Sequence, residues 1–195
     1  MDQLKPPFFD DLDGSLAYAW RLLTRGVNDR RSGFHTPAIV TVGLDGAPAM
    51  RTVVLRHVDE AQRVIRFHTD ARAPKLAELA REPRIGALFY DFKNKLQLRL
   101  NGRAIVHAPG TSLARECWEQ SQEKSRLCYA QIAAPRSDLA EPIEGDIRGL
   151  GGEEHFSVVV IEVQKLEWLY LHHEGHRRAI FEWRDGAWSK QWIAP

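Results

Sequence analysis

The chain has 195 residues, 44% of them hydrophobic and 27% charged, with a formal net charge of +1 and two cysteines. That length suits one domain with its own core, and a charge so near neutral argues against nucleic acid or an anionic membrane as partner. Cys117 and Cys128 form no CxxC pattern and no disulfide framework, which fits a reduced, cytoplasmic protein. No apolar run is long enough to cross a bilayer, and residues 1–13 lack the apolar core of a signal peptide.

Residues 1–14, with Pro6, Pro7 and several acids, read as an irregular lead-in. Ser15 is a candidate cap for an amphipathic helix in which Leu16, Trp20, Leu23 and Val27 recur at helical spacing. This helix should pack on the outside of a sheet or on a partner chain. An apolar run from Ala38 to Leu44 meets the hairpin turn Asp45-Gly46 and returns as a strand over Met50–Val58. After a polar turn at Asp59–Arg63, Val64 to Thr69 reads as the next strand, and these two runs should pair antiparallel. Pro74 suits the first position of a short helix over Pro74–Arg81, with Leu76, Leu79 and Ala80 at helical spacing. Thr69, Arg72 and Lys75 then converge on a helix N-terminus, where free N–H groups and the positive dipole end favour an anion. The same residues also fit a plain strand-to-helix connection with ordinary surface cations, and residue types alone do not separate the two.

Strands follow at Ile85–Tyr90 and Leu96–Val106. In the second, Leu96, Leu98 and Leu100 alternate with Gln97 and Arg99, and Gly102 marks a bulge or bend. Residues 111–131 read as a helix with Leu113, Cys117 and Trp118 in its apolar stripe. From Ala133 to Glu154 the composition turns to Pro, Asp, Glu and Gly, the mark of a surface loop and a candidate lid. Further strands are expected at Phe156–Val163, Leu166–His172, Arg177–Trp183 and Trp188–Ile193, with turns at Glu174-Gly175 and Asp185-Gly186. Many strands with hairpin turns and few helices argue for a mainly β protein, an antiparallel barrel with peripheral helices. The chain carries no G-x-S-x-G, P-loop or dinucleotide fingerprint. His172-His173-Glu174-Gly175-His176 is not H-E-x-x-H on a helix, and no metal site is expected there.

Arg51-Thr52-Val53-Val54-Leu55-Arg56, followed by Phe67-His68-Thr69 and Lys75, resembles the flavin-binding segment of the pyridoxamine 5'-phosphate oxidase family. That family's pattern runs roughly R-x-V-L-L-K, then F-Y-T, then S-R-K. Gln97 falls at its glutamine, Trp168 and Arg178 at a later tryptophan and arginine, and Trp188 to Pro195 echoes its W-x-x-x-x-L-A-P ending. The resemblance runs from about residue 36 to Pro195. It implies an FMN-binding split β-barrel in a single domain over residues 1–195, with residues 1–33 as a lead-in and helix packed on the barrel. It further implies a homodimer with flavin at the interface, and an oxidoreductase acting on a small molecule. Arg51, Thr52, Val53, Val54 and Leu55 would lie along the flavin, with His68, Gln97, Trp168 and Arg178 as further cofactor contacts. Thr69, Arg72 and Lys75 would meet the FMN phosphate.

The departures are informative. The family's S-R-K is Ala73-Pro74-Lys75 here, which makes Arg72 the candidate for the missing cation. The family's substrate-phosphate tyrosine and arginine align with Cys117 and Ser121, and only Ser125 of that trio survives. The arginine of R-L-H is Glu174, while His176 remains. The substrate pocket is therefore expected to have lost two positive charges and gained an acid, a poor setting for a phosphate dianion. Arg56, Ser125 and His176 are the substrate-side candidates. The N-terminal helix with Arg30 to Pro37 resembles a branch of the superfamily without an assigned substrate. Two rival readings stay open: a non-catalytic split barrel holding flavin or haem, and a genuine pyridoxamine 5'-phosphate oxidase that uses cations such as Arg126 or Arg177.

Overall fold

The computed structural model of the protein describes residues 6–141 and 151–195. Much of the expected lid, residues 142–150, lies outside the described residues. The first helix, α1 (Leu12–Asn28), starts earlier than its apolar spacing suggests. Its cap is Asp11, whose carboxylate accepts from the Asp13 N–H at 3.0 Å. Ser15 is not the cap: it is buried one turn inside, and its hydroxyl donates to the Phe8 carbonyl at 3.0 Å.

Strands β1 (Ala38–Val42) and β2 (Pro48–Thr52) form the expected hairpin, with Gly46 at φ +85° in the turn. The Met50–Val58 run is not one strand. It breaks at Val53-Val54, so that β2 pairs with β1 while β3 (Leu55–Asp59) pairs with β4 (Val64–Asp70). The crossing is held by the segment before β1: the Val53 N–H donates to the Pro37 carbonyl at 3.0 Å and the Leu55 N–H to that of His35 at 2.9 Å. β2 and β3 stand at opposite ends of the strand order, so this crossing joins the two edges, as barrel closure requires.

The helix α2 (Pro74–Arg81) begins at Pro74, as read. β5 (Arg84–Asp91) and β6 (Leu96–His107) are antiparallel neighbours. β7 (Phe156–Tyr170) is one 15-residue strand where two were expected. Its first half pairs with β4 and its second with β8 (Arg177–Arg184), while β6 runs along most of its length. A strand shared in this way ties the two halves of the barrel together. β9 (Ala187–Ile193) follows β8 across the Asp185-Gly186 hairpin. The bulge foreseen at Gly102 is present as a register shift between Asn101 and Gly102. A Cβ there would lie 2.1 Å from the Glu162 carbonyl oxygen on β7, which is why the position takes glycine.

The expected helix over 111–131 divides into α3 (Ser112–Gln120), α4 (Glu123–Arg126) and a 3-10 turn at Leu127–Tyr129. The break has a local cause. Ser121 donates to the Cys117 carbonyl at 2.7 Å, and Arg126 caps the carbonyls of Trp118 and Glu119 at 2.9 and 2.8 Å. The main core joins Trp20 and Leu23 of α1 to Leu96, Leu98 and Leu100 of β6, Trp168 of β7 and Phe181 of β8. A second, smaller core packs Ala114 and Cys117 of α3 on Phe156 and Val158 of β7. Each large apolar side chain buried in this way contributes about 1.5–3 kcal/mol. α3 thus covers the outer surface of the β4–β7 region, and a cavity remains beside it.

Candidate functional site

Two clusters gather most of the residues singled out in the sequence. The first sits at the β4–α2 junction. Lys75 Nζ donates to Thr69 Oγ1 at 2.8 Å. Burial, and then the charge of Arg51, hold the Lys75 ammonium below its ordinary range. The Arg51 guanidinium donates to Glu78 Oε2 at 2.7 Å and to the Ala49 carbonyl at 3.0 Å, and it also bonds Thr41 Oγ1. Thr41 in turn donates to Glu78 at 2.5 Å. Burial alone would raise the Glu78 carboxyl, but the bonds from Thr41 and Arg51 and the charges of Arg51 and Lys75 outweigh it, so the group sits below the usual carboxylate range. Ala73 offers α2 no side-chain cap. Two cations, a threonine hydroxyl and an uncapped helix N-terminus make a donor set suited to a phosphate.

Arg72 does not join them. Its guanidinium grips both oxygens of Asp70, Nε to Oδ1 at 3.0 Å and Nη2 to Oδ2 at 2.7 Å. It also reaches the carbonyls of Gln131 and Ile132 at 2.9 and 3.1 Å. Arg72 ties the segment after the 3-10 turn to the end of β4, and Lys75 has Arg51 rather than Arg72 for its neighbouring cation.

The second cluster lines a cavity of about 310 Å³ between the β3–β4 surface, the end of α1 and α3–α4. Arg56 enters from β3, Arg66 and His68 from β4, Cys117 and Ser121 from the end of α3, Ser125 from α4, and Arg30 and His35 from the α1–β1 connection. The positions on α3 have lost their cation, but three arginines enter from other elements, and Glu174 is not among the lining residues. Arg30, His35 and Arg66 were missed because no spacing rule brings a helix end and a β4 face residue opposite α3. The signal available in sequence was an arginine at the outward position of a strand, Arg66, between inward Ile65 and Phe67. Burial, followed by the charges of Arg66 and Arg56, depresses His68 to about 3, so this imidazole is neutral at ordinary pH.

The remaining candidates are spread out. Thr52 is exposed on β2, Leu55 is in the core, and Val53 and Val54 form the crossing. Gln97 lies on the outward face of β6, opposite Tyr90 and Leu169. Trp168 is fully buried, with its ring edge-on to Phe8 and Tyr18, so it serves the core of this chain. Arg178 donates to Glu167 at 2.5 and 3.0 Å, and with His176 it lines a separate recess of about 260 Å³. Arg126 is engaged by carbonyls and the Trp118 ring, and Arg177 by Asp10 at 2.7 Å and the Phe9 ring. Neither lines the cavity of the second cluster.

The fold and the first cluster together define a split β-barrel with an anion-ready junction between β4 and α2. Residues 17–108 match the family described as pyridoxamine 5'-phosphate oxidase, FMN-binding domain. The pyridoxine/pyridoxamine 5'-phosphate oxidase 2 of Arabidopsis thaliana is 26% identical over 93% of this chain and 97% of its own. The pyridoxine/pyridoxamine 5'-phosphate oxidase of Thermosynechococcus vestitus is 38% identical over 57% of each chain. Among solved structures, a pyridoxamine 5'-phosphate oxidase-related FMN-binding protein of Nostoc punctiforme superposes with a TM-score of 0.74 at 21% identity, covering 97% of this chain and 98% of that one. PhzG of Burkholderia lata superposes with a TM-score of 0.75 at 19% identity, covering 100% and 99%. Over residues 17–108 the chain is similar to the pyridoxamine 5'-phosphate oxidase FMN-binding domain family.

Proposed function

We propose that the chain binds FMN and acts, as a homodimer, as an oxidoreductase on a small molecule. The observation that carries this is the cluster of Lys75, Thr69 and Arg51 at the start of α2, within the residues that match the family. A lysine held down by burial and by a neighbouring arginine gains from a phosphate, which restores the balance of charge. Those three residues would hold the FMN phosphate. FMN supplies two-electron redox chemistry when bound, and the protein positions it. Arg56 and Ser125 line the neighbouring cavity and would face the substrate.

Two observations support the dimer. His176 and Arg178 line a recess distinct from the Arg56 cavity, so a flavin site that draws on both sets needs two copies of the chain. The outward face of β1, β2 and β5 also exposes Val42, Met50, Leu88 and Tyr90, an apolar patch of the kind that pairs subunits. The test is the visible spectrum of the purified protein with mass identification of any released chromophore, and light scattering for the assembly. A flavin spectrum with released FMN supports the reading. A colourless protein that takes up no added FMN overturns it.

A further inference from the structure

We infer that Arg136 is a third cation of the phosphate site at the start of α2, reaching it from the segment that follows α4. The inference rests on the FMN reading above and adds to that site a residue from a part of the chain far from its other members.

The argument starts from charge. Lys75 and Arg51 bring two cations to the junction and Glu78 one carboxylate, which leaves a net charge of +1. Asp70 and Arg72 pair with each other and cancel. A phosphate monoester carries about −1.5 to −2 at neutral pH, so one further cation brings the filled site close to neutrality. Ser157 shows that the donor set is open. It lies directly across from Thr69 in the pairing of β4 with β7, so both hydroxyls stand on one face of the sheet. Ser157 is fully buried and its Oγ has no partner. A phosphate oxygen is the kind of acceptor that such a hydroxyl lacks.

Arg136 stands beside the same place. Arg72 holds the carbonyls of Gln131 and Ile132, which brings the residues that follow alongside α2. Arg136, Pro74 and Glu78 then line one recess of about 340 Å³ with Asp45 and Ala49 of the β1–β2 hairpin. Ala49 and Glu78 are two of the residues that accept from the Arg51 guanidinium, so the recess adjoins the cluster. Asp45 is engaged in its own turn, where Oδ1 accepts from the Ala47 N–H at 2.9 Å. Arg136 is exposed, and among the described residues its side chain meets no hydrogen-bond or ion-pair partner.

The backbone points the same way. Arg136 has φ +67° in a turn where the Ser137 N–H and hydroxyl both donate to the Ala134 carbonyl, at 3.1 and 2.7 Å. Such a position favours glycine, and a long side chain held there costs stability. Bonds within the turn fix it, so Arg136 does not depend on the Arg72 tether for its place.

The test is quenching of flavin fluorescence on the full chain freed of flavin, with FMN and with riboflavin, which lacks the phosphate. Arg136→Ala should weaken FMN at least fivefold and leave riboflavin within about twofold. Arg136→Gly should weaken FMN as much, yet keep or raise the thermal midpoint of the flavin-free protein, because glycine relieves the left-handed backbone. A lower midpoint in Arg136→Gly would mark a role in the fold instead and overturn the inference. FMN affinity unchanged in both variants, or FMN and riboflavin weakened alike, would overturn it too and leave the FMN reading standing. If the parent binds neither flavin, the FMN reading fails, and the thermal midpoint is followed against inorganic phosphate. Stabilisation by phosphate that Arg136→Ala loses keeps Arg136 in an anion site; stabilisation indifferent to that change, or none, overturns the inference as well.

Discussion

Glu78 Oε2 accepts from Arg51 at 2.7 Å and from Thr41 at 2.5 Å, so the arginine that most affects Lys75 is ion-paired within its own chain. The cluster therefore carries two cations and one anion, and Glu78 fixes where the Arg51 guanidinium points. The Glu78 side chain is 5% exposed and that of Arg51 22%. Removing one partner of such a pair leaves the other charge without its counterpart away from water.

Glu78→Ala should destabilise the protein by about 2–3 kcal/mol, somewhat below the cost for a fully buried pair because Arg51 keeps some contact with water. The sign with pH follows from the depressed carboxyl. The unfolded chain takes up the proton at about the ordinary value of 4.5, while the folded chain holds it off until lower pH. Glu78 thus adds stability above pH 4.5, and that stability is lost as pH falls through the folded value. Urea denaturation at several pH values should show a steep loss below 4.5 in the parent and a shallower one in Glu78→Gln.

Lys75 and Arg72 should separate cleanly. Lys75→Ala should lower FMN affinity at least tenfold, measured by quenching of flavin fluorescence. Arg72→Ala should leave that affinity within about twofold, since its guanidinium faces Asp70 and two carbonyls. Its effect should appear as faster proteolysis near Gln131 and Ile132. Loss of FMN in Arg72→Ala with affinity kept in Lys75→Ala would reverse the assignment.

His68 should make stability sensitive to mild acid. Its imidazole is neutral down to about pH 3 in the folded chain but protonates at 6.5 when unfolded. As pH falls below 6.5 the unfolded state binds the extra proton, so stability falls by at most about 1.4 kcal/mol per pH unit. His68→Phe should remove this slope between pH 7 and 5, a window above the Glu78 transition. NMR titration should find the His68 ring unprotonated at pH 5.

Leu88→Glu places a charge in the exposed apolar patch of β5, where Leu88 is opposite Ala38 of β1. Light scattering should then report a monomer where the parent is a dimer, with the circular dichroism unchanged. Flavin content should fall with the dimer. A parent protein that is monomeric while holding FMN would remove the interface from the proposed function.

Gly102→Ala should cost about 2–4 kcal/mol, because the new methyl meets the Glu162 backbone oxygen rather than a side chain able to move aside. The measurement is the thermal midpoint. A variant as stable as the parent would mean that the β6–β7 bulge relaxes freely.

By itself the sequence determined the pieces whose signals are local. Alternation in Leu96 to Leu100, the Asp45-Gly46 and Asp185-Gly186 turns, Pro74 at a helix start and Gly102 at a bulge all rest on neighbours two to four residues apart, and the folded chain keeps each of them. The resemblance carried by Arg51 to Arg56, Thr69 and Lys75 lies within residues 17–108, the stretch that matches the family. What only the tertiary structure decided is which distant groups meet. The break at Val53-Val54 depends on backbone partners at Pro37 and His35, and the single long β7 on strands from three other places in the chain. The pairing of Arg72 with Asp70 removes it from Lys75, and Arg30, Arg56 and Arg66 reach one cavity from three separate elements. Charge acts through space over several ångströms, and position in the chain does not record that distance until the barrel has closed.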